Sequence, residues 1–67
     1  MTPSETKAAR KSLGLTQAQM ADMLGYQGEN LKQMMYDIET GRRPLRAPQG
    51  RLIVAYLKGY RPDDWPI

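Results

Sequence analysis

Four arginines fall within ten residues, Arg42, Arg43, Arg46 and Arg51. A guanidinium group presents paired N–H donors that match a phosphate, so this block suits a polyanion. Directly before it, Asn30, Lys32, Gln33 and Tyr36 are residue types that can meet the edges of bases in a duplex groove. Together the two sets describe phosphate grip beside base reading, which divides affinity from sequence choice.

The charge pattern agrees. From Met1 to Gly41, four basic residues (Lys7, Arg10, Lys11, Lys32) stand against five acidic ones (Glu5, Asp22, Glu29, Asp37, Glu39). From Arg42 to Arg61 there are basic residues and no acid. The net charge of +3 is therefore concentrated late in the chain, where a polyanion is the natural partner. Arginines that only keep the chain soluble are the plainer alternative.

Other chemistry is poorly supplied. The 67 residues include no cysteine and no histidine, which removes disulfides, common zinc ligands and the usual nucleophile–base pairs. No glycine-rich phosphate cradle is present. We expect no enzyme, cofactor, metal or small-molecule ligand. The sequence has no apolar run long enough to span a bilayer and no apolar stretch of signal-peptide type near its start, so a cytoplasmic location is expected.

Helix punctuation determines where these side chains stand. Thr2, Pro3 and Glu5 form a capping-box start for a first helix that runs to about Leu13 and stops at Gly14. Thr16 and Gln19 repeat the pattern for a short second helix ending at Gly25. Asn30, or the pair Gly28–Glu29 before it, opens a third helix ending at Thr40 with Gly41 behind. Arg43–Pro44 and Ala47–Pro48 bracket a loop, and Pro48 suits the first turn of a fourth helix ending near Gly59. No strand pattern is visible. The expected fold is all-α: a compact four-helix DNA-binding domain over residues 1–59 with an irregular tail, 60–67.

At about 100° per residue, Leu31, Met34, Met35 and Ile38 fall on one arc of the third helix, a core stripe. Gln33, Tyr36 and Thr40 collect on the opposite face with Lys32 beside them, and Asp37 and Glu39 flank the stripe. A solvated polar face would show the same periodicity. The surrounding order, a short capped helix, a glycine turn, a second helix and then arginines, favours groove reading.

The stretch GLTQAQMADMLG, Gly14 to Gly25, resembles the helix 1 to helix 2 signature of Cro/repressor-type (XRE-like) helix-turn-helix regulators, and IETG, Ile38 to Gly41, resembles the end of their third helix. The likeness covers Thr6 to about Pro44. It implies that Gln17 binds phosphate at the start of the second helix and helps orient the reading side chains, with Thr16 beside it, and that Arg10 pairs with Glu39. MMYDIETGRRP with its following proline-opened helix is also similar to the anti-CRISPR-associated (Aca) regulators, homodimeric repressors of the operons that carry them. One departure stands out: Gly25 to Glu39 is about four residues longer than the family pattern. Either the third helix has an additional turn or the loop at Tyr26 to Glu29 is longer. Base readers would then lie early, around Gln27, Glu29 and Asn30, or late, around Lys32, Gln33 and Tyr36. The late register keeps Met35 and Ile38 buried and is preferred.

The segment LIVAYL, Leu52 to Leu57, is apolar all round, whereas a helix on the outside of a domain needs only one such face. Val54 and Leu57, with Tyr60 and Trp65 of the tail, would meet a second copy, giving a homodimer on an inverted repeat of double-stranded DNA. The alternative is that the Pro–Trp tail folds back and covers this face. The sequence therefore points to a transcription regulator, with a protein-binding module of antitoxin or inhibitor type, or an RNA binder, as the competing readings.

Overall fold

Two threonines start the first half of the chain. In the computed structural model, which describes residues 1–66, Thr2 and Thr16 both have extended backbone, with ψ of 163° and 166°. Each threonine Oγ accepts from the backbone N–H three residues on, that of Glu5 or Gln19, at 3.1 Å. The Glu5 and Gln19 side chains accept in return from the threonine N–H, at 2.7 and 2.9 Å. Two donors that helix geometry leaves without partners are thus satisfied at each start. Helices α1 (Pro3–Ser12) and α2 (Gln17–Met23) follow, then α3 (Leu31–Glu39) and α4 (Ala47–Leu57). No strand occurs among the described residues, and the fold is the expected compact all-α, four-helix domain.

All four helices end in one way. After α2, the Gly25 N–H bonds the Asp22 carbonyl and the Tyr26 N–H reaches back to Ala21. The same pair of bonds closes α1 at Gly14 and Leu15, α3 at Gly41 and Arg42, and α4 at Gly59 and Tyr60. The motif needs a left-handed residue just past the cap, and Gly25 provides it at φ 86°. Tyr26, the next residue, packs against the core, the apolar contact that commonly accompanies this turn.

The structure decides where the additional length lies. Helix α3 is only nine residues long, so no turn is added and the third helix is not a long one. The excess is a loop between Leu24 and Leu31. Gly28 has φ 129°, which excludes helix there and suits only glycine. Asn30 holds the cap position of α3, yet its side chain makes no cap bond. Its ψ of 51°, unlike that of Thr2 or Thr16, does not turn the side chain onto the first-turn N–H groups. The expected Asn30 cap is thus formed by position alone. At the other connection, Ala47 already belongs to α4 with Pro48 in its first turn, so the loop ends one residue sooner than expected.

Helix α3 lies against α2 and α1, and α4 packs on α1. Met35 and Ile38 meet Met20, Ala21 and Met23 of α2, Ala9 of α1 and Ile53 and Tyr56 of α4 in one buried cluster. Met20, Met35, Ile38 and Ile53 are at most 1% exposed, and each contributes about 1.5–3 kcal/mol by leaving water. The Tyr56 hydroxyl donates to the Met23 carbonyl at 2.8 Å, tying α4 to α2. Burial raises the Tyr56 pKa above its ordinary value, helped by the negative charges that Tyr60 and Asp64 can carry.

The tail is not separate from this core. Trp65 packs on Tyr56, with ring centroids 4.9 Å apart, and the Arg61 guanidinium lies 4.5 Å from the Trp65 ring centre. Arg61 Nη1 also donates to the carbonyls of Tyr56 and Tyr60, each at 2.8 Å, satisfying an acceptor at the α4 end. Residues 60–66 thus form irregular chain that covers the end of α4; Ile67, the last residue of the expected tail, lies outside the described residues. No helix among the described residues is long and apolar enough to cross a membrane.

Candidate nucleic-acid interface

The start of α2 and the start of α3 enclose a concave surface. Gln17 and Ala18 line it from α2, Glu29 and Asn30 from the loop, and Leu31, Lys32, Gln33 and Tyr36 from α3. All four residues expected to read bases are therefore neighbours on one surface, with Gln17 facing them. The late register is represented completely. Of the early one, Glu29 and Asn30 are present but Gln27 does not line the surface. Ala18 and Leu31 were not foreseen as part of it. The signal for Ala18 was its place beside Gln17 on the exposed side of α2, where a methyl group can meet the thymine methyl.

Chemically, the surface offers amide, ammonium and phenol groups. Tyr36 is 44% exposed, so its ring and hydroxyl are available to a partner. Gln33 Nε2 donates to Asp37 Oδ1 at 2.9 Å, one turn along the exposed face of α3. The first turns of α2 and α3 contain no acidic residue, and α3 has no side-chain cap. The positive end of its backbone dipole is left for an anion. Lys32 adds a full positive charge, and Glu29 opposes it at the rim.

Beneath the surface, Glu39 accepts three hydrogen bonds from two side chains. Arg10 Nε donates to Glu39 Oε2 at 2.6 Å, and Arg10 Nη2 donates to Oε1 at 3.3 Å. The pair is largely removed from water, with the Arg10 side chain 12% and the Glu39 side chain 2% exposed. Arg10 Nη1 also donates to the Leu15 carbonyl at 3.0 Å, holding the α1–α2 turn. The pair implied by the family resemblance is therefore formed, and Arg10 is used inside the protein. Gln17 Nε2 donates to Glu39 Oε1 at 3.2 Å, which fixes one amide that lines the concave surface. This bond ties the start of α2 to the end of α3. Thr16 Oγ accepts from Gln19 but keeps its own proton to donate.

The four arginines run from the end of α3 into α4. The Arg42 and Arg43 N–H groups both bond the Asp37 carbonyl, at 2.8 and 3.1 Å, so the two residues stand at the end of α3. The Arg43 guanidinium lies 5.6 Å from the centre of the Tyr26 ring, a cation–π contact. It connects the long loop to the end of α3 and gives Tyr26 a role that was not foreseen. Arg46 and Arg51, with Met1, Leu45, Ala47, Gly50 and Val54, line a depression along α4, and Arg43 lines one that shares Met1 and Leu45 with it. None of the four arginines lines the concave surface between α2 and α3.

The residues expected to form an association face lie on α4 and the tail. Val54 and Leu57, 41% and 46% exposed, border a groove with Met1, Glu5, Ala8, Ala9 and Ser12. Tyr60 is 53% exposed but lies parallel to Tyr56, with centroids 5.9 Å apart. Trp65 is packed on its own chain, so the fold-back alternative describes Trp65, while Val54 and Leu57 stay uncovered. No cluster of acidic residues that could hold a metal ion is present among the described residues. Set beside known proteins, the chain matches no family model, no curated protein and no solved structure.

Proposed function

We propose that the protein is a sequence-specific DNA-binding transcription regulator of helix-turn-helix type, with α3 as the helix that enters the major groove. It is a homodimeric repressor of its own operon, carried by a phage or other mobile element, and acts by occupying an inverted repeat and so occluding polymerase. The observation that carries this reading is the convergence of Gln17, Asn30, Lys32, Gln33 and Tyr36 on one concave surface between two helix starts. Arg42 and Arg43 at the far end of α3 supply phosphate contacts. The likeness of Gly14–Gly25 and Ile38–Gly41 to the Cro/repressor pattern supports it, as does the likeness of the segment around Arg42 to the Aca regulators.

A two-fold pair through Val54 and Leu57 suits the size of the domain. Its extents of 29 × 25 × 20 Å are comparable to the separation of about 34 Å between recognition helices on successive turns of one DNA face. The test is selection from random-sequence duplex DNA at roughly physiological salt, followed by sequencing of the bound fraction. The expected result is an inverted repeat with half-site centres about 10 base pairs apart. Recovery of no motif would refute sequence reading. A second reading, an antitoxin-like protein-binding module, is favoured by the uncovered groove at Val54 and Leu57; it predicts the absence of a motif together with tight, salt-insensitive capture of a protein partner.

A further inference from the structure

We propose that Asp37 is a positioning residue that makes Gln33 an adenine reader and turns it against guanine; this rests on the DNA-binding reading above. A carboxylate only accepts hydrogen bonds. The 2.9 Å contact to Asp37 Oδ1 therefore admits only the Nε2 end of the Gln33 amide, and the orientation follows from chemistry rather than from any choice between the N and O ends. One Nε2–H is committed to Asp37. The groups left for a partner are the second Nε2–H and the whole of Oε1.

That remainder, one donor beside one acceptor, has a single good match in the major groove. Adenine presents N7 as acceptor and N6–H as donor, which the free Nε2–H and Oε1 meet as a pair. Guanine presents two acceptors, N7 and O6. To match both guanine acceptors, Gln33 must release Asp37 and use both amide hydrogens; with Asp37 held it donates once and leaves Oε1 beside the second acceptor. Thymine offers an acceptor and cytosine a donor, so each takes one bond. Asp37 thus adds a cost on the wrong base as well as alignment on the right one, and a difference of that kind is what specificity requires.

The fold allows this without strain. Gln33 and Asp37 are four residues apart and share a side of α3, and Gln33 borders the concave surface with Lys32 and Tyr36. Asp37 is half-buried at the flank of the core stripe. Its backbone carbonyl is engaged by Arg42 and Arg43, which is independent of the side chain.

The experiment compares the wild type with Gln33→Ala and Asp37→Ala, each checked for cooperative thermal unfolding. Selected motifs and affinities for the four bases at the Gln33-dependent position are measured, with random-sequence DNA as reference. The wild type should favour adenine over guanine at one position per half-site by roughly 5- to 150-fold, the range of one bidentate contact. Gln33→Ala should make that position indifferent. Asp37→Ala should lower the adenine-to-guanine ratio about 3- to 10-fold, the worth of one hydrogen bond, chiefly through better guanine binding. Removing the Asp37 charge also raises affinity for every sequence, so the base ratio, not total affinity, is decisive. A motif that depends on Gln33 but keeps its adenine-to-guanine ratio in Asp37→Ala would overturn the positioning role while leaving DNA reading intact. A motif unaltered by Gln33→Ala would do the same to the adenine contact. Recovery of no motif by the wild type would remove both readings together.

Discussion

Replacing Glu39 should damage the fold more than any single surface charge could. Its carboxylate accepts from Arg10 twice and from Gln17 once, and both ends of the ion pair are almost out of water. Glu39→Ala leaves the Arg10 guanidinium largely buried and without its counter-charge. Breaking one side of such a pair costs about 3–5 kcal/mol, much of it the stranded charge; the 12% exposure of Arg10 lets some water return, so about 3 kcal/mol is expected. A chain of this length has roughly 3–10 kcal/mol to lose, so the variant should sit near the edge of folding. A drop of roughly 12–24 °C in midpoint would follow. The assay is urea unfolding of the wild type, Glu39→Ala, Arg10→Met and the double variant. If the charge argument is right, the double variant is more stable than Glu39→Ala, with a coupling of about 2 kcal/mol. Additive losses, or a Glu39→Ala penalty under about 1 kcal/mol, would refute the argument and reduce the pair to an ordinary surface ion pair.

Other consequences follow from the same geometry. Arg43→Ala should lower the salt slope of DNA binding by about 0.9, one phosphate contact's worth; an unchanged slope would remove Arg43 from the phosphate contacts. Tyr56→Phe should cost about 1 kcal/mol at neutral pH by removing the bond to the Met23 carbonyl. Because burial raises the Tyr56 pKa, its neutral form is favoured in the fold. That contribution is complete below the unfolded value of about 10 and is lost as pH rises through the folded one. The stability gap between wild type and Tyr56→Phe should therefore narrow in alkaline denaturation curves, and a constant gap would count against it. Val54→Asp combined with Leu57→Lys should yield monomers in sedimentation and lose about 100- to 10,000-fold in affinity for a two-half-site operator; intact dimers would move the association face elsewhere.

Much of the architecture was legible because helix ends are written in short, local chemistry. Thr2 with Glu5, and Thr16 with Gln19, announce their helices through bonds spanning three residues, and glycines past each cap announce the stops. The core stripe of α3 was equally readable, since burial of Met35 and Ile38 follows from periodicity. The interval between Gly25 and Glu39 was different. An additional helical turn and a longer loop have the same length, and sequence spacing does not separate them. The backbone at Gly28 and Asn30 does, and it also explains why an asparagine in the cap position does not cap.

The site was legible by face but not by contact. Periodicity put Gln33 and Tyr36 on the exposed side of α3, and a linear charge count put four arginines in one block. None of the four lines the concave surface between α2 and α3, which a one-dimensional count does not register. The contacts between Gln33 and Asp37, and between Gln17 and Glu39, are decided by side-chain direction. Both join an amide to a carboxylate, so in each the Nε2 end is turned to the carboxylate and the amide oxygen is not used in that bond. Two acidic residues that make α3 look ill-suited to a polyanion thus orient amides that line the concave surface: Glu39 holds Gln17 of α2 from within the core, and Asp37 holds Gln33 of α3 from the helix flank. On the proposed DNA-binding reading, a helix with fewer acids would attract DNA more strongly and distinguish its bases less well.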